Sequence, residues 1–344
     1  MGPVTKPRLI AVAAACLGTA AFWIAGLPLP LLLGPMTGCL VAALIGLPMQ
    51  GVGVIGTVMR TILGVAIGAS ITQETLAALV EYLPTLILIP PFVAAVGAAG
   101  YPYLRRVAGL DAPTAFYAAM PGGLQDMLLF GEEAGGDPRA LSLIHATRIL
   151  VIVFVAPFLI AWAYGIDLTA APGVSAVDVP LGQIALMIVA GLVGWWAAAR
   201  VRLFGASILG PMILTAALSL AGVIDQRPPA EMIWAAQFFI GLGVGAKYAG
   251  ITGRELRDFV GAGLVYAVIA LAVSGLFVWA AVYLSPAHQL DVLLSFLPGG
   301  QGEMVVVAII AGADLGFVVT HHLLRIVIVI MLSPLVARRL MRGD

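Results

Sequence analysis

The sequence predicts an all-α integral membrane protein of about ten transmembrane helices. They form two inverted five-helix repeats, each with an interrupted Pro-Gly-Gly segment. Three observations carry this prediction. Of the 344 residues, 62% are hydrophobic and only 10% charged, against about 25% charged in soluble domains, and the mean hydropathy is +1.09. Apolar runs near the ~20 residues needed to cross a bilayer recur from end to end. The chain is also written twice: residues 121–157 match residues 298–334 without a gap, and 11 of the 37 pairs are identical.

In order, the apolar runs are 8–26, 30–47, 55–71, 75–99, 140–164, 181–199, 207–224, 233–250, 258–284 and 316–337. Lys6 and Arg8 ahead of the first run resemble a signal peptide. A run of similar length, 181–199, opens the second half at a comparable place, so the first is read as a retained helix. Cys16 and Cys39 fall inside predicted spans and read as small packing residues, not as a disulfide framework. No loop is long enough for a soluble enzymatic or DNA-binding domain, and zero net charge gives no pull toward nucleic acid.

Shared charges at fixed spacing mark the repeat as a duplication, because lipid-facing helices that resemble one another by chance share Leu and Val. The identical pairs include Pro121/Pro298, Gly122/Gly299, Gly123/Gly300, Met127/Met304, Gly135/Gly312, Asp137/Asp314, His145/His322, Arg148/Arg325 and Pro157/Pro334, and Asp126 answers Glu303. Upstream, with small gaps, LGPM at 33–36 returns at 209–212, and Gly64 and Gly68 return as Gly241 and Gly245. Residues 1–168 are the first unit, 181–344 the second, and the Gly/Pro-bearing stretch 169–180 the linker.

Charge asymmetry orients the units. With a cytoplasmic N-terminus and Pro-Gly-Gly segments that enter and leave on one side, each unit crosses five times and the second is inverted. Thirteen cationic residues, from Lys6 to Arg342, then lie inside and only Arg227 outside. Fully crossing segments give parallel units and a poorer split of eight to six. A third arrangement, with 55–71 re-entrant, places Arg105 and Arg106 outside. Inverted repeats with broken helices point to a secondary transporter whose site lies near the midplane.

Proline followed by two glycines stops a helix, and such backbone survives at membrane depth only where protein or a water-filled cavity satisfies it. Helices restarting near Leu124 and Gln301 would point N–H groups at the break and attract anions; a packing kink is the plainer alternative. The expected substrate-binding residues are Pro121, Gly122, Gly123, Gln125, Arg148, Pro298, Gly299, Gly300, Gln301 and Arg325. The expected ion-coupling residues are Asp126, Asp137, His145, Glu303, Asp314 and His322. Intramembrane carboxylates suggest a proton carrier or sodium ligand, or else structural ion pairs with Arg148 and Arg325. Those arginines share a helix face with His145 and His322 and suit a carboxylate or phosphate, while pairing with Asp137 or Asp314 serves equally. The histidines read either as proton shuttles or as partners of neighbouring carbonyls. Arg60 and its counterpart Gln237 precede GVAIG and GLGVG, read as close-packing glycines, and the LGPM pair suggests a kink against the broken segment.

The two PGG-x-x-[DE]-M segments, each followed by Asp, His and Arg at matching intervals, resemble the AbrB-type duplicated membrane protein family of bacteria, through nearly the whole chain. That family is unrelated to the soluble sporulation regulator of the same name. The resemblance implies an inner-membrane protein, with labels such as ammonia monooxygenase or transcriptional regulator. A monooxygenase needs a cluster of metal ligands, and four histidines, His145, His288, His321 and His322, supply none. The expectation is therefore an ion-coupled transporter of a small, anionic solute, not an enzyme, with no cofactor and no metal. It would sit in the bacterial inner membrane with both termini cytoplasmic. Its partners are a small molecule or ion, the lipid bilayer, and further copies of the chain if it is an oligomer. The alternatives are a membrane sensor acting on gene expression through a partner, and a membrane-embedded monooxygenase.

Overall fold

Helix is the only regular structure among the described residues, 5–203 and 205–340 of the computed structural model. The first half runs α1 (Lys6–Ile24), α2 (Pro30–Leu44), α3 (Val54–Gly68), α4 (Gln73–Ala78), α5 (Leu83–Leu86), α6 (Ile89–Pro102), α7 (Ala112–Ala119), α8 (Leu124–Glu133) and α9 (Pro138–Tyr164). The second half runs α10 (Leu181–Arg200), α11 (Ala206–Leu220), α12 (Ala230–Gly245), α13 (Gly253–Glu255), α14 (Gly261–Leu284), α15 (Gln289–Phe296), α16 (Gln301–Ala311) and α17 (Leu315–Leu340). A π-helical turn, Tyr103–Val107, extends α6.

Among the described residues, six helical stretches are long and apolar enough to cross a membrane: Lys6–Ile24, Leu83–Val107, Pro138–Tyr164, Leu181–Arg200, Gly253–Leu284 and Leu315–Leu340. α2, α3, α11 and α16 are apolar but shorter. At 1.5 Å per residue, a 15-residue helix such as α2 is about 22 Å long, less than the ~30 Å hydrocarbon layer. The run expected at 75–99 is displaced: its first turns form the separate α4, and the long stretch starts at Leu83. Glu74 and Glu81 hold the earlier part polar. Arg342 lies outside the described residues.

The chain divides into two compact units, and each draws on both halves of the sequence. The first holds Met1–Leu79, Pro157–Gly250 and Gly302–Gly316. Its helices adjoin in the order α1, α2, α12, α3, α11, α10. Glycines set this order. A Cβ on Gly64 would strike the Ile208 carbonyl and one on Gly68 the Met212 carbonyl, so α3 lies directly on α11. Gly241 and Gly245 lie in the same way on the Leu32 and Met36 carbonyls of α2. Each Gly-rich helix thus packs on the LGPM helix of the other half. Pro35 and Pro211 sit inside α2 and α11, where the glycine ridges meet them. Cys39 is buried and donates to Ala11 O at 3.3 Å, whereas Cys16 is exposed rather than packed.

The second unit holds Val80–Ala156, Ile251–Gln301 and Phe317–Asp344. Here α14 packs on α6 and α15, and α7 on α6 and α8. Phe92 meets Phe277 and Phe296 edge-on, with centroids 5.4 Å away in both cases. An ion pair, Arg139 Nε to Glu255 Oε1 at 2.8 Å, ties the start of α9 to α13.

Candidate functional site

Both Pro-Gly-Gly segments interrupt helices where the sequence places them. α7 ends at Ala119, Met120 turns extended (φ −76°, ψ 132°), and Gly123 is extended (φ −66°, ψ 137°) before α8 restarts at Leu124. α15 ends at Phe296 and α16 restarts at Gln301. Pro121, Gly122, Pro298 and Gly299 are buried, so the freed backbone carbonyls need protein partners.

Those partners come from the long helices α9 and α17. Arg148 Nη1 donates to Met120 O at 2.9 Å and Nη2 to Gly122 O at 3.1 Å. Arg325 does the same to Leu297 O at 2.9 Å and Gly299 O at 3.3 Å. One helical turn earlier, His145 Nε2 bonds Tyr117 O at 3.1 Å, and His322 Nε2 bonds Leu294 O at 3.0 Å. A carbonyl only accepts, so Nε2 carries the proton in both rings. Every donor and acceptor in one set corresponds to the other at the repeat spacing. Both arginines are fully or almost fully buried, at 0% and 2% exposure. Neither forms an ion pair among the described residues. Nε of each arginine and Nδ1 of each histidine have no partner.

The alternative of arginines paired with acids is therefore corrected: their Nη groups go to carbonyls, because the breaks leave acceptors nearer than any carboxylate. Asp137 caps α9 instead, accepting from Arg139 N at 2.8 Å and Ala140 N at 3.2 Å, while its own N–H donates to Thr114 Oγ1 at 2.8 Å. Asp314, exposed, stands at the corresponding place before α17. For the histidines, the plainer expectation matches the geometry, with each ring on a neighbouring carbonyl.

Asp126 is half-buried in the first turn of α8 and folds a carboxylate oxygen over Gly123. Acids in a first turn are stabilised by the helix dipole. Gln125 points to the exterior, and Gln301 keeps a buried Nε2 without a partner. In the first compact unit, Glu303 stands in the first turn of α16 and feels the field of Arg60. Arg60 also acts on Lys247.

This duplicated clamp lies inside the stretch matched by one family profile. The profile described as transition state regulatory protein AbrB covers residues 31–341. The chain belongs to the AbrB family. It is 25% identical over 320 residues to "Putative regulator AbrB" of Escherichia coli K12, covering 91% of this chain and 90% of that protein. It is 27% identical over 299 residues to YhjN of Bacillus subtilis 168, covering 80% of this chain and 76% of that protein.

Two buried polar side chains of this AbrB-family chain were missed in the sequence, and the first of them reaches the helix break. Tyr266, fully buried on α14, donates to Ala119 O at 2.5 Å and lies within electrostatic range of both arginines. Its repeat counterpart is Ile89; a lone phenol in an apolar span was the available signal. His321, also without a polar counterpart, links Phe317 O (2.7 Å, Nδ1) and Thr85 Oγ1 (2.9 Å, Nε2).

Proposed function

We propose that this AbrB-family chain is a secondary transporter that moves a small anionic solute coupled to protons or sodium. One observation carries the reading: two arginines at corresponding positions of the repeat are buried with no ion-pair partner among the described residues. An uncompensated buried cation is costly, and intramembrane ionisable groups mark substrate or ion pathways. An arriving anion supplies the missing charge and finds both Nε groups still open. Asp126 and Glu303 are the coupling acids in this reading, while His145, His322 and Asp137 serve the backbone.

The architecture proposed with it has ten crossings in two inverted units. α1, α2, α3, α6 and α9 form the first, α10, α11, α12, α14 and α17 the second, with both termini cytoplasmic in a bacterial inner membrane. The chain has no enzymatic role in this reading. A second reading, a membrane sensor acting through a partner, is favoured by the regulatory wording of the family description and of the Escherichia coli relative.

The test is flux in proteoliposomes under an imposed proton or sodium gradient, with small carboxylates, phosphate and sulfate as probes. The native chain accumulates at least one probe, whereas Asp126→Asn and Glu303→Gln exchange it without accumulation. Absence of flux for every probe, together with a protein partner retained on purification, ends the transport reading in favour of the sensor.

A further inference from the structure

Within the second compact unit, a half-open cavity of about 420 Å³ lies among α6, α7 and α17. Its volume falls in the ~300–1,000 Å³ range of small-molecule pockets. Pro90, Val93, Phe116, Met120, Ile328 and Val329 give it an almost wholly apolar wall. Ser333, 3% exposed, also lines it, with a hydroxyl that has no partner. Such a wall suits an alkyl chain.

The helices that flank one end of the cavity finish in arginines. Tyr101 and Pro102 line it at the end of α6, and Val336 and Leu340 at the end of α17. Exposed Arg105 and Arg106 follow Pro102 within a turn, and exposed Arg338 and Arg339 stand between Val336 and Leu340. None of the four forms an ion pair among the described residues. Glu133 is the acid that shares influence over Tyr117 with Arg338, so the cluster remains net cationic. An apolar slot leading to a cationic rim at the end of two membrane-length helices matches a chain with an anionic head.

We propose that the groove between α6 and α17 is a binding site for an anionic phospholipid, with one acyl chain in the cavity and the phosphate headgroup at Arg105, Arg106, Arg338 and Arg339. The occupant also bears on the first helix break. Met120 lines the cavity while its carbonyl is held by Arg148, and Val329 lines it from beside Gly122. Bound lipid therefore supports the clamped conformation of the break. This assignment is independent of what the protein transports or senses.

The test uses the purified full chain, with phosphatidylglycerol and phosphatidylcholine of matched acyl chains titrated in mild detergent and read by native mass spectrometry. Phosphatidylglycerol is expected to be retained preferentially. Each arginine within reach of the headgroup contributes roughly fivefold to that preference, and it falls with added salt. The double variant Arg338→Gln/Arg339→Gln drops the preference by up to about 25-fold but still binds lipid. Ala94→Phe, at an exposed position on the cavity wall, removes both lipids; Ala98→Phe replaces it if that variant fails to fold. Equal retention of the two lipids by the native chain, or unchanged binding by the Phe variants, overturns the proposal. So does a dimer that dissociates on Ala94→Phe with its lipid content unchanged, because the groove is then covered by a second copy.

Discussion

Replacing Arg148 by lysine keeps a buried cation and removes the fork. The guanidinium holds two carbonyls, Met120 O at 2.9 Å and Gly122 O at 3.1 Å. An ammonium is a point donor on a flexible stem, and from one position on α9 it reaches one of them. One charged hydrogen bond is lost, worth about 1.5–3 kcal/mol, and its carbonyl is left unpaired in a buried segment. Because the charge remains, the desolvation cost of a buried cation is not returned, and the sign of the effect is unambiguous. A loss of about 2 kcal/mol corresponds to roughly 30-fold faster local opening. Amide hydrogen exchange by mass spectrometry, followed over peptides spanning residues 112–130, reads it directly. Arg325→Lys has the matching effect over residues 289–305, slightly smaller because its second bond is longer, at 3.3 Å. Exchange within about threefold of the native rate at the break, or an effect at one arginine only, refutes the clamp.

Three further outcomes are expected. Gly241→Ala drives a methyl into the Leu32 carbonyl and lowers stability in detergent by about 1–3 kcal/mol, whereas Gly243→Ala, with open space around it, leaves the melting temperature unchanged or slightly raised. Asp137→Ala removes the α9 cap and costs about 1 kcal/mol, visible as a lower melting temperature, while ion dependence of flux persists. In the loop after α9, hydrogen bonds from the Thr169 hydroxyl and backbone N–H hold the Asp167 carboxyl below its usual range. A depressed folded value means the turn's support is present above the ordinary aspartate pKa and is lost as pH falls through the lowered one. Exchange at the Thr169 amide, corrected for intrinsic rate, therefore accelerates below about pH 4, and Asp167→Asn removes that pH dependence.

The breaks were legible because proline and glycine act locally: Leu124 and Gln301, the expected restart points, are the first residues of α8 and α16. Close packing at Gly64, Gly68, Gly241 and Gly245 was legible as spacing, but its partner was not. A glycine ridge shows that a backbone approaches, without showing which one. The targets of Arg148 and Arg325 were hidden for a related reason. Sequence displays charged side chains, so carboxylates were the visible candidates, while the acceptors used are main-chain carbonyls freed by the break. Tyr266 escaped because its role depends on α14 bringing one phenol to the end of α7, a contact that repeat spacing does not encode.

The alternating order of helices in the first compact unit has a consequence for biosynthesis. α3 ends at Gly68, and the helix that covers its glycine ridge begins at Ala206. Some 140 residues of chain emerge in between, and at ~5–20 residues per second the ridge waits roughly 7–28 s for its partner. The first half, released alone, would be left with bare backbone grooves suited to the other half of any copy of the same chain.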